Sequence, residues 1–97
     1  MAYQQHRPDL IRSKLGPMGN VTLFRRINGL EWTRIVRPQD FLTPMEAAVV
    51  LRVHRVTMYD WIAPPAPLIP SQDGPHGVLL RWRDIRQFGQ DHRLLRR

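Results

Sequence analysis

The sequence predicts a small α+β domain. Two short helices joined by a tight turn form its centre, a β-hairpin precedes them, and a second hairpin and a last helix follow. Three observations predict this. Residues 41–62, F-L-T-P-M-E-A-A-V-V-L-R-V-H-R-V-T-M-Y-D-W-I, carry helix signals on both sides of a short break. Asn28-Gly29 separates two runs of β-forming residues. A proline cluster at 64–67 ends the second helix abruptly, and a strand–turn–strand pattern follows it.

Taken in order, residues 1–20 read as a basic, weakly structured arm. Arg7, Arg12 and Lys14 make it basic, and Pro8, Gly16, Pro17 and Gly19 interrupt any helix, leaving Leu10, Ile11 and Leu15 room for one short turn. Residues 21–37 read as a hairpin, because Asn-Gly between apolar-rich runs is the strongest short signal for a two-residue type I′ turn. That turn fixes the register. It pairs Ile27 with Leu30, Arg26 with Glu31, Arg25 with Trp32, Leu23 with Arg34 and Val21 with Val36. Val21, Leu23, Ile27, Leu30, Trp32 and Val36 then share one face. A lone two-stranded hairpin is marginal in water, so this apolar face must cover the helical part or the same face of another copy.

Residues 41–92 form the helical unit. Thr43 suits an N-cap, Pro44 the first helical position, and Glu46 lies three residues after the cap, which is the spacing of a capping box. Ala47, Ala48 and Leu51 supply a compact apolar side. Arg52-Val53 make the turn, and His54 stands at the start of the second helix, roughly 55–63. At about 100° per residue, Thr57, Met58, Trp61 and Ile62 fall on one side of that helix, and Arg55, Val56, Tyr59 and Asp60 on the other. Leu68-Ile69-Pro70 reads as a short strand, 71–77 as a turn and 78–82 as a return strand, together a wing. Asp84 or a neighbour caps a last helix through Ile85 and Phe88, with Gly89 weakening its middle. Trp61 and Trp82 read as core. Residues 93–97 form a basic tail.

A short helix, a turn and a second helix with a polar outward face follow the logic of a helix-turn-helix. The string L-T-P-x-E-A-A-x-x-L-x-V-x-R-x-T-x-Y-x-W-I over residues 42–62 resembles the winged helix-turn-helix of excisionase-like, MerR-related DNA-binding domains. The likeness continues more loosely through Trp82-Arg83-Asp84-Ile85-Arg86-Gln87-Phe88. The chain departs from that pattern at Arg52, where glycine is frequent, at His54, where serine is frequent, and at Asp60, where a basic residue is common. The fold expected is a small winged helix-turn-helix with an N-terminal β-hairpin.

Charge points the same way. The formal net charge is +7, with 15 basic side chains that are all arginine except Lys14. Arginine is the better bidentate partner for phosphate and guanine, and a small, strongly basic domain suits nucleic acid. The expected DNA-contacting residues are Arg55, Val56 and Tyr59, with His54 at the helix start, His76 on the wing, and Arg81 and Arg83 on the return strand. Arginine can fork onto guanine, valine can meet a thymine methyl, and tyrosine can reach a phosphate or a base edge.

Other classes find little support. There are no cysteines, hence no disulfides and no thiolate metal site. His6, His54, His76 and His92 are dispersed, Ser13 and Ser71 sit in no nucleophile motif, and no glycine-rich phosphate loop occurs. The sequence therefore predicts no catalysis, no metal, no cofactor and no small-molecule ligand. No segment resembles a signal peptide or a membrane span, so a cytoplasmic protein without membrane attachment is expected. The expected partner is double-stranded DNA, with self-association through the hairpin or cooperative binding along DNA. The resemblance implies a recombination directionality factor or a small transcription regulator. The alternatives are a protein-docking module and the DNA-recognition subunit of a viral packaging complex.

Overall fold

Asn28 and Gly29 both take left-handed backbone angles, with φ of 51° and 81°, and close a two-residue turn between β2 (Val21–Ile27) and β3 (Leu30–Val36). The register is the expected one, from Ile27↔Leu30 through Arg25↔Trp32 to Val21↔Val36. The structure, a computed structural model, describes residues 10–95.

The arm expected over 1–20 differs in its described part. Leu10–Leu15 form a strand, β1, antiparallel to β2 from Leu10↔Arg26 to Leu15↔Val21. Gly16 and Pro17 do not end structure here but make the connection. A 3-10 turn at Pro17–Gly19 closes the loop, with Asn20 donating to the Pro17 carbonyl at 3.1 Å and Gly16 to the Asn20 carbonyl at 2.9 Å. The hairpin is thus the centre and one edge of a three-stranded sheet, ordered β1-β2-β3. Residues 1–9, with Arg7 and Pro8, lie outside the described residues.

The second sheet is β4 (Phe41–Leu42), β6 (Gly77–Arg81) and β5 (Gln72–Gly74), ordered β4-β6-β5 and antiparallel. The strand expected at 68–70 is absent. Prolines at 67 and 70 remove two ladder donors, and Ile69 instead enters the core as a single fully buried side chain. Pairing starts only at Gln72, opposite Leu79. The return strand ends at Arg81, because Trp82 already opens α3 (Trp82–Asp91). Arg83 therefore lies in the first turn of a helix and not on a strand. Arg81 is the N-cap of α3 without a side-chain cap bond, and Asp84 sits inside the first turn. The cap expected of Asp84 is replaced by tertiary bonds. Trp82 N–H donates to the Asp40 carbonyl at 2.8 Å and Arg83 N–H to the Pro38 carbonyl at 3.0 Å.

Two helices follow β4, α1 (Pro44–Leu51) and α2 (Arg55–Ile62), packed against each other. The capping box is present, with Glu46 N–H donating to Thr43 Oγ1 at 3.2 Å and Thr43 N–H to Glu46 Oε1 at 2.9 Å. α1 packs on β1, α2, β4, β6 and α3. One core runs through the molecule. Val21, Leu23 and Val36 from the first sheet meet Leu42, Ala47, Ala48, Leu51, Met58, Leu80, Trp82 and Ile85. Trp82 is fully buried, and its indole N–H donates to the Gly19 carbonyl at 2.6 Å. Trp61 is half-buried against Phe88, with ring centroids 4.8 Å apart. The described residues thus form an α+β fold with three α-helices and two antiparallel sheets.

Two further expectations are corrected. The shared face of the hairpin is buried only at its base. Val21, Leu23 and Val36 are covered, Ile27 is half-buried, and Leu30 and Trp32 are exposed. At the other end, residues 93–95 are not a frayed tail. Arg93, Leu94 and Leu95 each donate a backbone bond into the end of α3, and Leu94 and Leu95 pack on the core. Residues 96 and 97 lie outside the described residues.

Candidate functional site

The turn between α1 and α2 determines what α2 displays. Arg52 ends α1 in a left-handed conformation, φ 58°, where glycine would be easier, and its N–H donates to the Val49 carbonyl at 3.1 Å. Val53 N–H donates to the Ala48 carbonyl at 3.0 Å. The chain is then turned sharply enough for α2 to begin at once. His54 acts as its N-cap, with Nδ1 accepting from Val56 N–H at 3.1 Å. An imidazole nitrogen here takes the acceptor role that serine or asparagine usually fills.

α2 divides as its periodicity predicts. Met58 and Ile62 are buried, and Thr57 and Trp61 are half-buried. Arg55, Val56, Tyr59 and Asp60 are exposed, Val56 at 56% and Tyr59 at 51%. His54, Arg55, Val56 and Tyr59 are thereby brought together on one outward face, a guanidinium, a branched methyl surface and a phenol within two turns. Val56 and Tyr59 are thus two large side chains standing in solvent on the polar face of the helix.

The other expected residues are distributed differently. His76 is exposed at the turn between β5 and β6. Arg83 is exposed on α3. Arg81 is half-buried and committed inside the molecule, donating to the Gln39 carbonyl at 3.0 Å with its guanidinium 4.5 Å from the centre of the Phe41 ring. It ties β6 to the segment before β4.

Sequence reasoning missed a pair that holds the sheet to the helices. Arg34 Nη2 donates to Glu46 Oε1 at 2.9 Å, and its Nη1 to the Phe41 carbonyl at 3.3 Å. The signal was legible: the hairpin register places Arg34 opposite Leu23, an arginine on the buried face that needs an acceptor. A second missed pair is Arg37 with Asp40. The Asp40 carboxylate accepts from Arg37 N–H at 2.9 Å, from Nε at 3.2 Å and from Nη2 at 3.3 Å. These bonds, the side-chain ones foremost, hold the Asp40 carboxyl below its ordinary pKa, and the same carboxylate makes Arg37 more basic.

Beside the hairpin, Leu23, Ile27 and Trp32 line an open groove of about 390 Å³, rimmed by Arg25, Arg34 and Glu46. Among the described residues no three His, Asp or Glu side chains come together as metal ligands, and no helix is long and apolar enough to cross a membrane. Comparison of the chain with protein-family models, curated proteins and solved structures finds no match.

Proposed function

We propose that the chain is a winged helix-turn-helix protein that binds double-stranded DNA, with α2 in the major groove and the β5–β6 hairpin as the wing. The observation that carries this reading is the composition of the exposed face of α2. Arg55, Val56 and Tyr59 stand in solvent while Met58 and Ile62 anchor the same helix in the core. Arg55 forks onto guanine O6 and N7, Val56 meets a thymine methyl, and Tyr59 reaches a phosphate or base edge. His54 keeps its second ring nitrogen for a contact at the helix start. His76 and Arg83 lie against the backbone, and the +7 charge makes binding salt-sensitive. Arg81 belongs to the scaffold of this interface. In the cell the protein acts as an excisionase-like recombination directionality factor or as a small transcription regulator. Repeated sites at one-turn spacing distinguish the first.

The test is fluorescence-anisotropy binding to duplexes selected from a random pool, at low and moderate salt. Arg55→Ala is expected to weaken the selected site about 10- to 100-fold and relax the base preference at one position, as a lost bidentate contact does. Tyr59→Ala is expected to weaken it as well. Unchanged affinity in both variants overturns the role given to α2. A protein-docking module, or a DNA-recognition subunit in a viral packaging assembly, is the second reading. The exposed Trp32 and the acidic Asp60 on the α2 face favour the docking module, and stable ring formation is the mark of the packaging subunit alone.

A further inference from the structure

We infer that β3 is a self-pairing edge, through which two copies of this chain join their three-stranded sheets into one continuous antiparallel sheet. This does not depend on the DNA reading.

The backbone groups of β3 point alternately toward β2 and away from it. β3 is an edge strand, and among the described residues only β2 pairs with it. In a two-residue hairpin the residues flanking the turn, Ile27 and Leu30, form a hydrogen-bonded pair. Alternation then makes Leu30, Trp32, Arg34 and Val36 the residues that bond to β2. Glu31, Thr33 and Ile35 turn their N–H and C=O groups outward. Antiparallel pairing of β3 with a second β3 must use those residues, and a two-fold axis through Thr33 does so. Thr33 then bonds to its own copy, and Glu31 bonds to Ile35 of the other copy, in both directions. Every outward donor and acceptor of Glu31, Thr33 and Ile35 is satisfied.

The side chains fit the same register. The non-hydrogen-bonded pair in which exposed side chains lie closest becomes Trp32 with Arg34. Trp32 is 61% exposed, and a guanidinium stacks well on an indole while still donating in its own plane, as Arg34 does to Glu46. On the opposite face Ile35, 62% exposed, comes beside the aliphatic part of Glu31.

The edge also lacks the usual guards. Natural edges are blunted by proline, lysine, bulges or free charges. β3 has no proline or lysine, and its seven-residue ladder with β2 is unbroken. Its charges are committed elsewhere: Glu31 to Arg12 at 3.4 Å and Arg26 at 3.6 Å, Arg34 to Glu46. The other edge, β1, carries Arg12 and Lys14. One strand contributes less than the about 800 Å² per partner of a standard interface, so the dimer is expected to be concentration-dependent.

The experiment is sedimentation velocity of the full chain over a concentration series. Wild type is expected to shift from monomer to dimer. Thr33→Pro removes an outward N–H that the β2 ladder does not use, and Thr33→Lys, opposite Phe24 within its own chain, sets two like charges opposite each other across the two-fold axis. Both are expected to remain monomeric, with far-UV circular dichroism and melting temperature close to wild type. Because the chain has no cysteine, Thr33→Cys provides a single thiol. A short bis-maleimide is expected to link two copies at position 33. It is expected to fail with Asn28→Cys, in the turn beyond Leu30, whose own copies already lie roughly 20 Å apart in this register at about 3.4 Å per residue. A wild type that stays monomeric throughout overturns the inference. So does a dimer that survives Thr33→Pro or crosslinks equally at position 28.

Discussion

Replacing Glu46 by alanine tests the idea that one carboxylate fastens the first sheet to the helices. Glu46 is 9% exposed, and its Oε1 accepts from Thr43 N–H and from Arg34 Nη2, each at 2.9 Å. Loss of a capping interaction costs about 1 kcal/mol. The Arg34 contact is discounted because that side chain is half exposed, which places the ion pair at about 0.5–1 kcal/mol. Alanine recovers a few tenths of a kcal/mol in helix propensity. The net expectation is about 1.5 kcal/mol, which lowers the melting temperature by roughly 6–12 °C in a domain of this size. Thermal and urea unfolding followed by circular dichroism measure it. A double-mutant cycle with Arg34→Ala is expected to return a coupling of about 0.5–1 kcal/mol. A loss under about 0.5 kcal/mol with no coupling would refute the reasoning, since the contact would then be no better than a solvated surface pair.

Gly89→Ala is expected to destabilise, against the usual gain of about 1 kcal/mol for this change inside a helix. An added methyl would lie 2.8 Å from Leu51 Cδ2 and 2.7 Å from Leu95 Cγ, and a stability increase in urea unfolding would contradict that packing. Trp82→Phe leaves the Gly19 carbonyl without its donor and is expected to cost about 1–3 kcal/mol by the same assay. Acid titration reads the Arg37–Asp40 pair. The Asp40 carboxyl is held below its ordinary value of 3.8, so its contribution is complete above that pH and is lost as pH falls through the lower folded-state value. Asp40→Asn is expected to flatten that part of the stability curve, and an unchanged acid limb would remove the pair from the account.

Features governed by local chemistry could be read from the sequence. The Thr43–Glu46 box, the Asn28-Gly29 turn with its register, and the division of α2 into Met58/Ile62 and Arg55/Val56/Tyr59 all depend on neighbours within a few residues. What escaped depends on distant partners. Leu10–Leu15 has no clean two-residue alternation and becomes a strand because β2 offers its free edge. Arg81 has the charge of a phosphate contact, yet a carbonyl 42 residues away takes it. Arg83 was misplaced because Trp82 begins a helix where the apolar run suggested strand. Half of the hairpin face stays open because only the end that bears Val21, Leu23 and Val36 joins the core with Leu42, Leu51 and Trp82, contacts between distant parts of the chain that no local pattern encodes.

The bond from the Trp82 indole to the Gly19 carbonyl has a practical consequence. It joins the opening residue of α3 to the loop between β1 and β2, 63 positions apart. Residues 41–92, delimited by motif alone, are therefore not a separable unit. A fragment cut there would uncover Leu42, Ala48 and Leu51 where Val21, Leu23 and Val36 had lain, and would strand the indole without its acceptor. Limited proteolysis within 16–20 should accordingly release no stable helical remnant, and the shortest chain that keeps its shape begins no later than Leu10.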